Sequence, residues 1–275
     1  MTVPAHVPAE LVVDFIDSHL NPNDARNGFI TACSNDLAMV ANATFLIGSF
    51  DDAINCKDKA GQATGLPDMP ATSTSSKQAC SPVTFAPSGS LLDCSTLNQD
   101  PQTFTGQTGD SKYYVKTYGP KLKGPIIVSG DSAATAHTTK VLGLLAEKAG
   151  IDITDTIPKA SADPQSAYTP VVQQMKNDGD NYNLTGAPVD NVITMRNEAQ
   201  LQGLTDPKFV WTCQVQCYDK KTVDAGDVMA NTKIVMNFLP FTETTANKTL
   251  AAFVKYVGKD KINGFAEIGR ASCRE

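Results

Sequence analysis

The residues best placed for covalent chemistry lie in Ile126-Ile-Val-Ser-Gly-Asp-Ser-Ala133. A strand ending on Gly-Asp-Ser can present Ser132 as a nucleophile, provided a histidine takes its proton and a third group orients that histidine. The chain has three histidines, His6, His19 and His137. Only His137 follows Ser132, five positions on in the same predicted helix, where it cannot easily swing back into line. The competing reading is a strand-to-helix turn in which Asp131 or Ser132 caps the helix. That reading is the stronger one, so catalysis by Ser132 is a minor alternative and no catalytic residue is expected. No GxGxxG, GxxxxGK[ST] or GxSxG pattern occurs, which leaves nucleotide binding and the usual hydrolase elbow without support. The carboxylate pairs Asp51-Asp52 and Asp178/Asp180 sit beside turns and read as solvated loop charge.

Seven cysteines are the other reactive set: Cys33, Cys56, Cys80, Cys94, Cys213, Cys217 and Cys273. No CxxC pairs with a second CxxC or an HxxxH, so no structural metal is expected. Neither Cys33 nor Cys94 has the histidine company of a catalytic thiol. Disulfides are the better account, and Cys213-Gln-Val-Gln-Cys217 looks like a local clip. They imply an oxidising, extracytoplasmic compartment. Asn42, Asn183 and Asn247 each head an N-x-Thr pattern, but Asn183 falls inside a predicted strand, so that match reads as chance.

These residues need elements to hold them. The chain has 275 residues, a net charge of −6, 41% hydrophobic residues and 19% charged ones. That excludes wholesale disorder, and the absence of a basic stripe argues against nucleic acid. No apolar run reaches the roughly 18 residues of a membrane span. Strand-like and helix-like stretches alternate. In the first half these are a strand at 11–17, a helix at 23–36, a buried strand at 43–50 and a short helix at 52–62. A loop at 67–90 and a helix at 101–117 follow. In the second half strands are predicted at 124–130, 151–157, 181–185, 208–213 and 234–239. Helices are predicted at 133–149, 165–178, 189–202 and 250–257. Val141, Leu142, Leu144 and Leu145 form one apolar stripe, and Gly150, Gly179 and Gly203 stop their helices. Such alternation predicts α/β architecture with parallel sheets flanked by helices, split into two lobes near residues 120–124.

The order of elements resembles the type 1 periplasmic binding proteins, and among them the substrate-binding proteins of branched-chain amino acid ABC transporters. The resemblance covers most of Leu11 to Ala266. It is strongest from Gly124-Pro-Ile-Ile-Val-Ser-Gly-Asp131 through Ala146-Glu-Lys-Ala-Gly150. Tyr168-Thr-Pro-Val-Val-Gln-Gln-Met-Lys176, Ala199-Gln-Leu-Gln-Gly-Leu204 with Phe209-Val-Trp, and Leu250-Ala-Ala-Phe-Val-Lys-Tyr-Val257 extend it. It implies lobe I over residues 1–121, and lobe II with the start of a crossover back to lobe I over residues 122–266. It implies a small polar ligand clamped between the lobes and an ABC permease as partner, with no cofactor and no nucleic acid.

The resemblance places ligand contacts after the strand ending at Ser49, at Phe50 and Asp51, and at Ala71, Thr72 and Ser73. In lobe II it places them at Asp131, Thr135, Ala187 and Gln214. The family often has aromatic residues where this chain has Thr135 and Ala187-Pro188, and an acidic residue near Cys213 or Gln214. Those departures point away from an ordinary amino acid. Against the family the chain reads as a fragment. The first strand and helix of lobe I would precede Pro8, together with any export signal or lipid anchor. Glu267-Ile-Gly-Arg-Ala-Ser-Cys-Arg-Glu275 resembles a translated sequencing adapter and reads as a non-native tail. Removing it leaves six cysteines, for which Cys213–Cys217 and a pair drawn from Cys56, Cys80 and Cys94 are expected, with Cys33 taking the remainder. A ligand-sensing domain of a receptor or regulator with the same fold is the alternative function.

Overall fold

A computed structural model of the chain describes residues 12–17, 22–40, 42–44, 50–70, 72–73, 75–86, 91–100, 102–236 and 238–258. The first region comprises α1 (Pro22–Asn35), β1 (Met39–Val40), β2 (Ala43–Thr44), α2 (Asp51–Ile54), β3 (Asp68–Met69), β4 (Thr72–Ser73) and α3 (Ser76–Ala79). β1 pairs in parallel with β3, and β2 with β4. Phe29 of α1 meets Phe50 edge-on at 5.4 Å, and Ala53 completes this small core. Two disulfides, Cys33–Cys56 and Cys80–Cys94, tie the loops together. Both agree with the expected pairing.

The second region is a five-stranded parallel sheet. It contains α4 (Gly109–Tyr118), β5 (Lys123–Ser129), α5 (Ala133–Lys148), β6 (Asp152–Lys159), α6 (Thr169–Asp178), β7 (Tyr182–Thr185), α7 (Val189–Leu201), β8 (Val210–Cys213), α8 (Lys220–Asp224) and β9 (Lys233–Ile234). α9 (Lys248–Val257) follows. The strand order is β6-β5-β7-β8-β9. β5, β7 and β8 are near-continuous buried runs, as a sheet covered on both faces requires. One face packs Tyr168, Val172, Met175, Met195 and Trp211 around Ile127. The other packs Tyr114, Leu122, Ala146, Ile151 and Tyr182 around Ile126 and Val128. Tyr114 thus anchors α4 to the second region, although α4 precedes residue 122.

Several sequence expectations shift. Residues 12–17 carry no regular structure, and Val12 and Phe15 are exposed. A strand needs a partner to satisfy its backbone, and no pairing with 12–17 occurs among the described residues. The helix expected at 52–62 shrinks to α2, because a turn closed by the Lys57–Ala63 bridge takes over. α4 starts at Gly109, well after 101, and β9 is two residues long. The strand expected at 43–50 is seen as β2, and residues 45–49 lie outside the described ones. Val141 and Leu145 are buried on α5 while Leu144 is half exposed, since it lies about 100° around the helix from Leu145. α8 had no sequence signal. Gly150, Gly179 and Gly203 all take positive φ just after their helices, as expected.

Candidate functional site

The strand order places the switch point of the sheet between β5 and β7. From there successive strands are added in opposite directions, which leaves a crevice at their carboxyl ends. Three connections meet at that edge: the β5–α5 turn, the β7–α7 turn and the segment after β8. They are held close. Gly130 N–H donates to Lys159 O at 2.7 Å, Gly186 N–H to Ile127 O at 2.9 Å, and Gln214 N–H to Thr185 O at 3.4 Å. A Cβ on Gly186 would lie 1.9 Å from Thr139 Oγ1 of α5, so only glycine fits there.

Asp131, Thr135, Ala187 and Gln214 all fall at this edge, but they differ in what they offer. Asp131 is exposed, and its Oδ2 accepts from both the N–H and the hydroxyl of Ser161 at the end of β6. The Ser161 hydroxyl and then its N–H hold the Asp131 carboxyl below the usual carboxylate range. Asp131 therefore clamps the β6–α6 loop, a role with no signal in the spacing of the sequence. Thr135 is half-buried in the first turn of α5. Ala187 is fully buried, so its methyl group belongs to the core. Its carbonyl accepts from Gln216 Nε2 at 2.9 Å. Gln214 is half-buried at the end of β8. Just beyond it a short 3-10 turn, Val215–Cys217, is closed by the Cys213–Cys217 disulfide, as the clip reading expects. Cys213 and Cys217 are fully buried beside Val192 and Met229.

Ser132 is 5% exposed, and its hydroxyl accepts the Thr135 N–H at 3.2 Å as the cap of α5. His137 instead packs against the Phe104 ring, with centroids 5.5 Å apart. The strand-to-helix turn is capped by Ser132, as the capping reading expects. Asn183 is buried in β7, where it accepts the Thr185 hydroxyl at 2.6 Å, and no glycan can reach it. The Asp178/Asp180 pair departs from solvated loop charge: Asp180 is 7% exposed, and burial first, then Asp178, push its carboxyl up to about 6.

In the first region Ser49 and Ala71 lie outside the described residues. Phe50 is 1% exposed and belongs to the small core with Phe29. Asp51 is exposed and pairs with Lys77 at 2.5 Å, and Asp52 pairs with Arg26 at 2.7 Å. Thr72 and Ser73 form β4, with Ser73 partly exposed at its carboxyl end. Behind them lies a polar cluster that the sequence did not reveal. Asp68 is fully buried, and burial raises its carboxyl while hydrogen bonds from Gln78, Thr84 and Asn42 draw it back.

Among the described residues, no group of three or more His, Cys, Asp or Glu is placed to hold a metal, and no helix is long and apolar enough to cross a membrane. A groove of about 460 Å³ runs between α4 and the edge strand β9, lined by Asp110, Tyr113, Tyr114 and Lys233 among others. None of the candidate residues lines it.

No protein-family model matches the sequence, and no curated protein matches it. Solved structures do. An ABC transporter substrate-binding protein from Aeropyrum pernix superposes with a TM-score of 0.66 at 13% identity, over 92% of this chain and 62% of that one. The branched-chain amino acid transporter substrate-binding protein of Streptococcus pneumoniae, solved with isoleucine, gives 0.66 at 15% identity over 94% and 68%. A solute-binding protein from Rhodopseudomonas palustris, solved with 3,4-dihydroxybenzoic acid, gives 0.60 at 16% identity over 94% and 65%. The chain therefore has the type 1 periplasmic-binding-protein fold, and it spans about 62% of the length of the Aeropyrum protein.

Proposed function

We propose that this chain is the larger part of an extracytoplasmic solute-binding protein. It captures a small polar ligand, an amino acid or a related compound, between two lobes and delivers it to an ABC permease. The observation that carries this reading is the carboxyl edge of the five-stranded sheet at its switch point. That edge is small and polar, and its only serine in a nucleophile-like setting is used as a helix cap. The shared fold supports it, because the similar structures include proteins solved with isoleucine and with a hydroxylated benzoic acid. The three disulfides fit an oxidising compartment. The ligand contacts on this reading are Asp51, Thr72 and Ser73 with Ser49 and Ala71 in lobe I, and Thr135, Gln214 and the backbone around Ala187 in lobe II. The mechanism is lobe closure around the ligand without covalent chemistry.

Isothermal titration of the full-length protein against L-amino acids and hydroxybenzoates tests the reading. Saturable binding of one class, with closure seen by small-angle scattering, is expected. Binding of neither class, or ester hydrolysis that depends on Ser132, sinks it.

A further inference from the structure

The buried cluster behind Ser73 has a fixed hydrogen-bond direction. Asp68 and Gln78 are both fully buried. Asn42 Nδ2 donates to Asp68 Oδ1, Gln78 Nε2 donates to Asp68 Oδ2 at 3.0 Å, and Thr84 Oγ1 donates to the same oxygen at 3.3 Å. An ionised carboxylate only accepts. The Gln78 amide must therefore turn its NH₂ toward Asp68 and its carbonyl the other way. Reversing it would set a carbonyl oxygen against a carboxylate and strand a buried amide, which is costly.

The reversed end of the amide faces Ser73. Ser73 Oγ lies 3.1 Å from Gln78 Oε1 and 3.2 Å from the Ser75 carbonyl oxygen. Both partners are acceptors, and a hydroxyl has one proton to give. That proton is committed to this pair. The remaining lone pairs of Ser73 can only accept.

We propose that Asp68 and Gln78 are positioning residues that lock the Ser73 hydroxyl as a hydrogen-bond acceptor, so that it selects ligand groups that donate, such as an ammonium or an amide N–H, over groups that only accept. The selection of ligand rests on the solute-binding reading above; the direction of the hydrogen bonds does not. Buried polar networks of this kind are satisfied in one orientation only, and they pass that orientation to whatever they touch. Nothing in the spacing of Asn42, Asp68, Gln78 and Thr84 announces the cluster, since they come from separate short elements and loops.

Neutron diffraction from deuterium-exchanged crystals of the full-length protein reads the direction without any variant. The expected result is deuterons on Gln78 Nε2 facing Asp68, and the Ser73 deuteron facing Gln78 Oε1 or the Ser75 carbonyl. A Gln78 carbonyl turned to Asp68, or a Ser73 deuteron pointing away from both acceptors, overturns the proposal. Titration with L-leucine and with 4-methylpentanoate, the same skeleton without the ammonium, reads the consequence. Although Cys213 and Gln214 offer its ammonium no carboxylate, the wild type is expected to prefer L-leucine, because Ser73 accepts from that ammonium. Asp68→Asn frees the Gln78 amide to turn over and should cut that preference about tenfold, the worth of one charge-assisted hydrogen bond. The same change should have no further effect in a Ser73→Ala background. An undiminished preference in Asp68→Asn overturns the selection. A wild type that binds neither compound and no other member of the two ligand classes, yet shows the expected deuterons, removes the solute-binding reading and leaves the hydrogen-bond direction standing.

Discussion

Residues 109–236 bury whole strands between two layers of helices, with Ile127 at the centre of one face and Ile126 at the centre of the other. Among the described residues of 22–100, the strands are two residues each, and buried clusters of three residues lie around Phe29 and around Cys56. The first region compensates covalently and with polar groups: two disulfides, and the buried Asp68 network. The contrast shows how two parts of one chain reach order by different means. Where apolar area is plentiful, packing does most to specify the arrangement. Where it is scarce, cross-links restrict the unfolded chain and hydrogen bonds specify the folded one.

That contrast can be broken most severely in the sheet. Trp211 is 3% exposed, stacks on Phe209 at 4.1 Å and lies under the Arg196 guanidinium at 4.5 Å. Trp211→Ala should destabilise by about 3–5 kcal/mol in urea unfolding followed by circular dichroism. A loss under 1 kcal/mol would mean that packing does not carry this region.

The next largest effect falls on the cross-links. Replacing Cys33 and Cys56 with Ser opens a bridge spanning 23 residues, at a cost of about 3 kcal/mol. Hydrogen exchange should rise through residues 22–100, while the fluorescence of Trp211, the sole tryptophan, stays native. Loss of both signals together would show that the two regions unfold as one.

Asp180 tests the sheet region electrostatically. Its folded pKa, pushed up to about 6, lies above the ordinary carboxylate value of about 3.9. The folded state then holds the proton more tightly than the unfolded one. The resulting stabilisation is fully present below about pH 4 and is lost as pH rises to about 6. Asp180→Asn should therefore gain about 1–2 kcal/mol at pH 7.5 and little at pH 3.5. Equal effects at both values would assign the change to packing.

The smallest effect sharpens the reading of the site. Ser132→Ala should cost about 1 kcal/mol, the usual worth of a helix cap. Background hydrolysis of p-nitrophenyl acetate should not change. A fall in that rate would return Ser132 to the list of nucleophiles.

The second half of the chain was legible because its strands are buried on both faces and its helices end on glycines with positive φ. Those two signals survive in sequence as apolar runs and as punctuation. β5, α5, β7 and α7 fall within a few residues of their expected places. The first half was less legible. Its short elements take their shape from Cys33–Cys56, Cys80–Cys94 and Asp68, and contacts between distant loops leave no periodicity. The apolar run at 11–17 promised a strand, yet pairing decides strands and an apolar run only permits them. In the candidate site the turns at Asp131 and Gln214 could be read from strand ends. That Phe50 and Ala187 turn into cores, and that Asp131 binds Ser161 through one oxygen, could not.

The sequence by itself determined the α/β alternation, the preference of the cysteines for disulfides, the Cys213–Cys217 clip and a capping turn at Asp131-Ser132. All of these depend on residues close together in the chain. Only the tertiary structure decided the strand order that makes β5 and β7 a switch point, the pairing of Cys33 with Cys56, and the direction of the hydrogen bonds that reach Ser73. These depend on which distant segments share a surface. A local pattern cannot encode that, because burial and hydrogen-bond polarity are properties of the assembled neighbourhood.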